Sequence, residues 1–129
     1  MIKIFKDNYD KKEFYGLMGH FFAETEYKKA MPYLKNTDKL IWYVNLDENN
    51  DVIAFNNYEE TSNKIEFKAT YFTKNIKDLR ELLEIQIKKL NNKPIETANC
   101  NPNIINLFKE LGFKEYKKTT NYTFLRKEN

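Results

Sequence analysis

His20 is the only histidine in the 129 residues and Cys100 the only cysteine, so imidazole and thiol chemistry have one candidate each. His20 sits beside Phe21 and Phe22 in a helix-patterned stretch and reads as a partly buried packing residue rather than a base. Cys100 precedes a helix whose N-terminus would lower a thiol pKa. No histidine neighbours it in sequence, however, so it reads as a buried structural cysteine and a thiol enzyme is not expected. A lone histidine with no cysteine or acid at ligand spacing makes no metal site. Two further groups have acid–base capacity. Glu66 lies between Lys64 and Lys68 on an alternating stretch, which gives it a charge-paired, solvated setting. Tyr122 is a phenol in a strand-like segment, where tyrosine most often packs.

Anion binding has its own candidates. Lys74, Lys77 and Arg80 surround the start of a long amphipathic helix. A helix N-terminus offers unpaired N–H groups and the positive end of the dipole. The plainer reading is surface lysines with Asp78 stabilising the first turn. Lys109, Lys114, Lys117 and Lys118 form the nearest thing to a basic patch, but the formal net charge is only +3 and lysines alternate with acids elsewhere. A nucleic acid is therefore not the expected partner.

The elements that must position these groups follow from periodicity. Residues 1–6 alternate as an edge strand. Phe14, Leu17, Met18, Phe21 and Phe22 share one helical face. Gly16 and Gly19 interrupt that helix, each at a cost of about 1 kcal/mol, which suggests close approach to a neighbouring backbone. A short helix over 26–34, disturbed by Pro32, precedes a strand over 40–46. The loop Asp47–Asp51 turns it into a hairpin with 52–58. A third strand, 64–73, is expected to point Ile65, Phe67, Ala69 and Tyr71 to one face. Leu79, Leu82, Leu83, Ile87 and Leu90 then form the buried stripe of the long helix, and residues 94–98 a short strand. In Asn101–Phe113, Asn101 caps a helix with the stripe Ile104, Leu107, Phe108 and Leu111, and Gly112 stops it. Strands over 113–116 and 121–125 close the chain.

The 129 residues read as one domain (1–129), with 41% hydrophobic and 16% aromatic content. No apolar run approaches the roughly 18 residues of a membrane span, and the start lacks the apolar stretch of a signal peptide. With a single cysteine, the expectation is a soluble protein of the reducing cytoplasm. Ten Phe and nine Tyr leave room for a homodimer through exposed aromatics.

Asn101, Leu107, Gly112 and Phe113 give the segment a spacing that resembles the last conserved motif of the GNAT superfamily of CoA-dependent acyltransferases, Asn-x-x-Ala-x-x-Leu-Tyr-x-x-x-Gly-Phe. Ile104 replaces its Ala and Phe108 its Tyr. The element order β-α-α-β-β-β-α-β-α-β-β is also that of the GNAT fold over essentially the whole chain. The resemblance implies an α+β fold with a mostly antiparallel central sheet of six to seven strands flanked by about four helices.

It further implies acetyl-CoA as co-substrate, with no metal, and transfer of its acetyl group to a primary amine on a small molecule or peptide. The strand end Tyr71, Phe72 and Thr73 would hold the pantetheine arm. The loop Asn75, Ile76, Lys77, Asp78, Leu79 and Arg80 stands where the family places Gln/Arg-x-x-Gly-x-Gly/Ala around the pyrophosphate. Here that motif is degenerate, because Asp78 and Arg80 occupy its glycine positions. Asn101 and Phe108 would meet the cofactor from the last helix. Glu66 stands where several members place a base, and Tyr122 is the alternative to the proton donor that Phe108 cannot be. Glu24, Glu26 and Tyr27 would frame the acceptor side. The rival expectation is a GNAT-fold binding module that has lost catalysis.

Overall fold

The computed structural model describes residues 1–90 and 92–128. In chain order the elements are β1 (Ile2–Phe5), α1 (Lys11–Ala23), α2 (Thr25–Ala30), β2 (Ile41–Leu46), β3 (Val52–Glu60), β4 (Ile65–Phe72), α3 (Ile76–Lys89), β5 (Ile95–Asn99), α4 (Pro102–Glu110), β6 (Lys114–Lys118) and β7 (Thr123–Lys127). The order is the one that periodicity and the family resemblance predict. Boundaries move by a few residues where caps decide them. Asp10 accepts from the Lys12 and Glu13 amides to start α1, and Gly112 takes φ +100° to release the chain from α4. The second helix ends at Ala30, before Pro32, rather than reaching residue 34.

The strands form one seven-stranded sheet in the order β1-β2-β3-β4-β5-β7-β6. All pairs are antiparallel except β4 with β5. Each face carries a core. On one, Phe14, Met18 and Phe21 of α1 pack over Trp42, Val44 and Phe55. On the other, Leu79, Leu82 and Leu83 of α3 and Ile104, Leu107 and Phe108 of α4 pack over Tyr43, Tyr58, Ile65 and Phe67. A sheet with both faces covered only in part leaves open ground at the uncovered end, and here that ground lies over β4, β5 and β7.

The central strand departs from simple alternation. Ile65 and Phe67 belong to the α3/α4 core, whereas Ala69 and Tyr71 belong to the α1 core. The expectation that all four share a face is therefore wrong, and the cause is a one-residue β-bulge. Tyr58 pairs with Phe67 but Asn56 pairs with Thr70, so Lys68 and Ala69 together oppose Asn57. Three smaller expectations also fail. His20 is exposed, stacked at 4.0 Å on Phe21. Cys100 is exposed rather than buried. A Cβ on Gly16 or Gly19 would meet nothing within 4 Å, so neither glycine marks a close backbone approach.

Candidate active-site cleft

The bulge is where the sheet divides. Strand β5 pairs with β4 only over Ile65↔Ile95, Glu66↔Glu96 and Phe67↔Thr97. Beyond Thr97 it stays with β7 as far as Asn99↔Thr123, so β5 and β7 leave β4 together. On β4 the Thr73 amide donates to the Ile53 carbonyl at 3.0 Å. Backbone groups alternate between the two edges of a strand, so Tyr71 faces β3 as Thr73 does. The amides of Thr70 and Phe72 then face the side that β5 has vacated. The Ala69 amide is taken by Asn57 Oδ1 at 2.7 Å.

On the face that α1 leaves uncovered, a cleft of about 970 Å³ opens over the same strands. Lys68, Ala69, Ala98, Phe124, Tyr122 and Tyr33 are among its lining residues. Its floor is an ion-pair chain. Glu66 binds Lys68 at 2.8 Å and Lys64 at 3.4 Å. Glu96 binds Lys64 at 3.2 Å and also pairs with Arg126. The Tyr33 hydroxyl is pushed up to about 12, first by desolvation and then by Cys100 and Tyr122 nearby. It stays protonated at neutral pH and is a donor into the cleft. Among the described residues no cluster of three or more His, Cys, Asp or Glu could hold a metal ion, and no helix is long and apolar enough to cross a membrane.

No family profile matches the chain, and no curated protein matches it in sequence. Solved structures do. Escherichia coli ElaA superposes with a TM-score of 0.76 at 10% identity, over 99% of this chain and 99% of that one. Campylobacter jejuni N-acetyltransferase PseH, in complex with acetyl coenzyme A, gives 0.66 at 12% identity over 100% and 99%. An acetyltransferase of the GNAT family from Staphylococcus aureus gives 0.64 at 13% over 98% and 98%. This chain has the GNAT fold. Identities this low establish the fold and nothing finer.

Within the GNAT fold the sequence-chosen residues fall into three groups. The first lies around the divided strand. Phe72 presents its amide to the gap, while the Tyr71 ring turns to the α1 face and packs at 5.7 Å from Phe55. Thr73 is tied to β3 through both its amide and its hydroxyl. Thr70, whose amide faces the gap, was not among the residues the sequence singled out, because a bulge that shifts the alternation leaves no mark in the hydrophobic pattern.

The second group is the start of α3. Asn75 caps the helix by accepting from the Lys77 amide at 2.9 Å, and the Asp78 amide returns to the Asn75 carbonyl at 3.0 Å. The two departures from the glycine motif contact other elements, Asp78 through its backbone carbonyl alone and Arg80 through its side chain. The Asp78 carbonyl accepts from Asn45 Nδ2 on β2 at 3.0 Å. Arg80 binds Glu84 at 3.1 Å and Glu110 of α4 at 2.8 Å, joining the two helices. Ile76 and Leu79 turn toward the α3/α4 core. Lys74 and Lys77 are exposed and have no ion-pair partner among the described residues. Asn101 caps α4 through the Asn103 amide at 2.9 Å.

The third group is scattered. Glu24 and Glu26 are exposed at the α1–α2 junction. Tyr27 packs 4.7 Å from Phe21 and 6.0 Å from Tyr71. Desolvation, then Glu26, raises both Tyr27 and Tyr71 above the ordinary phenol value. None of Glu24, Glu26 and Tyr27 lines the cleft, whose helical-side wall comes instead from the α2–β2 loop, with Tyr33 and Lys39. Phe108 is fully enclosed, 4.9 Å from Phe113 and 6.1 Å from Phe67. Glu66 and Tyr122 do line the cleft.

The hydrogen bond from Lys68 holds the Glu66 carboxyl below its ordinary value of 4.5, with Lys64 adding to the effect against desolvation. A lowered folded pKa stabilises the fold above the ordinary value, and the contribution is lost as pH falls through the folded one. Glu66→Gln is therefore expected to cost about 0.5–1 kcal/mol at neutral pH, the range of a half-exposed pair. The difference from wild type should shrink on acidification below 4.5. Urea unfolding of both proteins across that range checks this, and a difference that grows toward acid contradicts it.

Proposed function

We propose that this chain is an N-acyltransferase that moves an acetyl group from acetyl-CoA to a primary amine by direct attack in a ternary complex. The observation that carries the reading is the edge of unclaimed amides at Thr70 and Phe72, turned toward the gap that β5 leaves, beside an open cleft of about 970 Å³. Such an edge suits a linear amide-bearing arm, which would complete the ladder as a strand does. An amide at the same edge would polarise a thioester carbonyl. The first turn of α3, with Lys74 and Lys77, would meet the pyrophosphate.

The cofactor would supply the activated acyl carbon. The cleft would bring in the amine, whose attack forms the C–N bond as the C–S bond breaks and the thiolate leaves. The amine must shed a proton, and Glu66, held low by Lys68, is a poor acceptor for it. Glu66 therefore serves to orient a cationic amine, and water in the open cleft carries the proton away. Of the phenols lining the cleft, Tyr122 would return a proton to the thiolate, since Phe108 has none to give and Tyr33, pushed up to about 12, is a poor acid for it.

Isothermal titration of acetyl-CoA is expected to give a micromolar Kd, weakened severalfold by Lys77→Glu through the helix-end charge. Absence of binding at millimolar cofactor would sink the reading. A binding module without catalysis is favoured by the enclosed Phe108 and by the α3 amide that Asn75 already occupies. Tight cofactor binding with no thiol release across an amine panel would support that alternative.

A further inference from the structure

Strand β3 carries two adjacent asparagines, Asn56 and Asn57, at its centre, 0% and 1% exposed. Asparagine is disfavoured in strands, and a buried amide is costly unless its groups are paired. Both side chains are spent on β4. Asn57 Oδ1 accepts the Ala69 amide at 2.7 Å. That amide belongs to the extra residue of the bulge, which has no regular ladder partner. On the opposite face Asn56 Oδ1 accepts the Thr70 hydroxyl at 2.6 Å, and Asn56 Nδ2 donates to Gln86 Oε1 at 2.6 Å. Gln86 interrupts the apolar stripe of α3, is 0% exposed, and leaves its own Nε2 without a partner. A leucine there would remove that orphaned donor but strip the buried Asn56 Nδ2 of its acceptor, so the Gln86 amide serves Asn56 rather than local packing.

We infer that Asn57, Asn56 and Gln86 are positioning residues that lock the β4 bulge between Phe67 and Thr70 and so decide which backbone amides face the gap. The inference rests on the acyltransferase reading for its purpose, but not for its geometry. A strand with one extra residue has neighbouring registers in which that residue sits elsewhere. A slip by one exchanges the two edges of the strand and the two faces of its side chains. The gap would then meet Ala69 and Tyr71 amides instead of those of Thr70 and Phe72. Asn57 and Asn56 grip consecutive residues from opposite faces, which opposes that slip more directly than apolar packing would.

The test is amide hydrogen exchange by NMR on the free protein, comparing wild type with Asn57→Leu, Asn57→Ser and Asn57→Asp. The inference expects Ala69 to be protected in wild type and Thr70 and Phe72 to exchange faster than it. In Asn57→Leu the Ala69 amide should exchange at least roughly tenfold faster while Ile65 keeps its protection, as local opening requires. Asn57→Asp keeps the acceptor oxygen and should restore Ala69. Asn57→Ser is too short to reach and reads the same loss if the leucine variant does not fold. Unchanged Ala69 protection, or a loss spread evenly over the sheet, would overturn the inference.

A second readout addresses its purpose. Acetyl-CoA labelled with carbon-13 at the carbonyl should show a lowered stretching frequency when bound to wild type, and that lowering should vanish in Asn57→Leu while unacetylated CoA still binds. Persistence of the lowered frequency in that variant would refute the positioning role. Failure of wild type to bind either cofactor would refute the acyltransferase reading and its purpose for the bulge, while the exchange data decide the grip itself.

Discussion

Replacing Phe108 with alanine is expected to lower the unfolding free energy by about 3–5 kcal/mol, the usual cost of truncating an enclosed aromatic. The ring has no exposed surface and sits between Phe113 and Phe67. It is thus the side chain through which α4 reaches β4 on the side where β5 and β4 stop pairing. Ile104, Leu107 and Leu125 of the same core are themselves buried, so collapse into the void would have to disturb their packing. Measured against the 5–15 kcal/mol typical of small proteins, a loss of that size removes a large share of the stability. Urea denaturation reads it as a lower midpoint at unchanged slope. A cost below about 1 kcal/mol would mean that the site relaxes far more than a close-packed core does.

The same ring shows how the sequence informs and where it stops. Phe108, Ile104 and Leu107 were legible as one face of a capped helix, because a 3.6-residue period survives any tertiary arrangement. Gly112 was legible because only its backbone conformation ends the helix so abruptly. The order of elements along the chain, and a mostly antiparallel sheet of six to seven strands, followed from those signals together with the family resemblance. The bulge was hidden. Ile65, Phe67, Ala69 and Tyr71 alternate without a break, and their burial on two different faces comes from the register shift opposite Asn57. The cleft was hidden for a related reason. Its lining comes from β3, β4, β5, the β6–β7 hairpin and the α2–β2 loop, segments far apart in the chain. Tyr33 and Lys39 carried no periodic signal at all. The asparagine pair did leave a trace. Two adjacent asparagines within a strand pattern contradict local propensity, and such contradictions tend to mark positions held for another purpose.

Arg80 and Asp78 illustrate the opposite case, in which a motif position suggests one role and the surroundings supply another. Arg80 stands where a glycine would let a phosphate approach, yet its guanidinium is already shared between Glu84 and Glu110. A bound pyrophosphate would have to compete with both carboxylates for it. Lys74 and Lys77 face no such competition, and the helix end remains positive whatever Arg80 does. An anion bound at this turn would therefore rely on the backbone and the two lysines.

Ala98→Trp is expected to abolish acyl transfer, by at least about 100-fold, while leaving CoA affinity within severalfold, because displacement of reacting atoms by an ångström has effects of that order. Ala98 stands one residue beyond Thr97, the last partner of β4, with Phe124 as its cross-strand neighbour on β7. It is half-buried and lines the cleft. An indole there projects into open volume rather than into either core, so the change in stability should stay within about 0.5 kcal/mol. The amine would lose the space in which it approaches the gap, whereas a pantetheine arm on the Thr70–Phe72 edge would keep its contacts. Thiol release with the best amine of a panel, measured beside calorimetric titration of CoA, separates the two effects. Retained turnover would mean that the amine enters by another route and that the cleft over β4, β5 and β7 is not the acceptor site. Equal loss of turnover and CoA binding would mean that the cleft and the cofactor gap are one continuous site, which would place the acyl end, rather than the amine, beside Ala98.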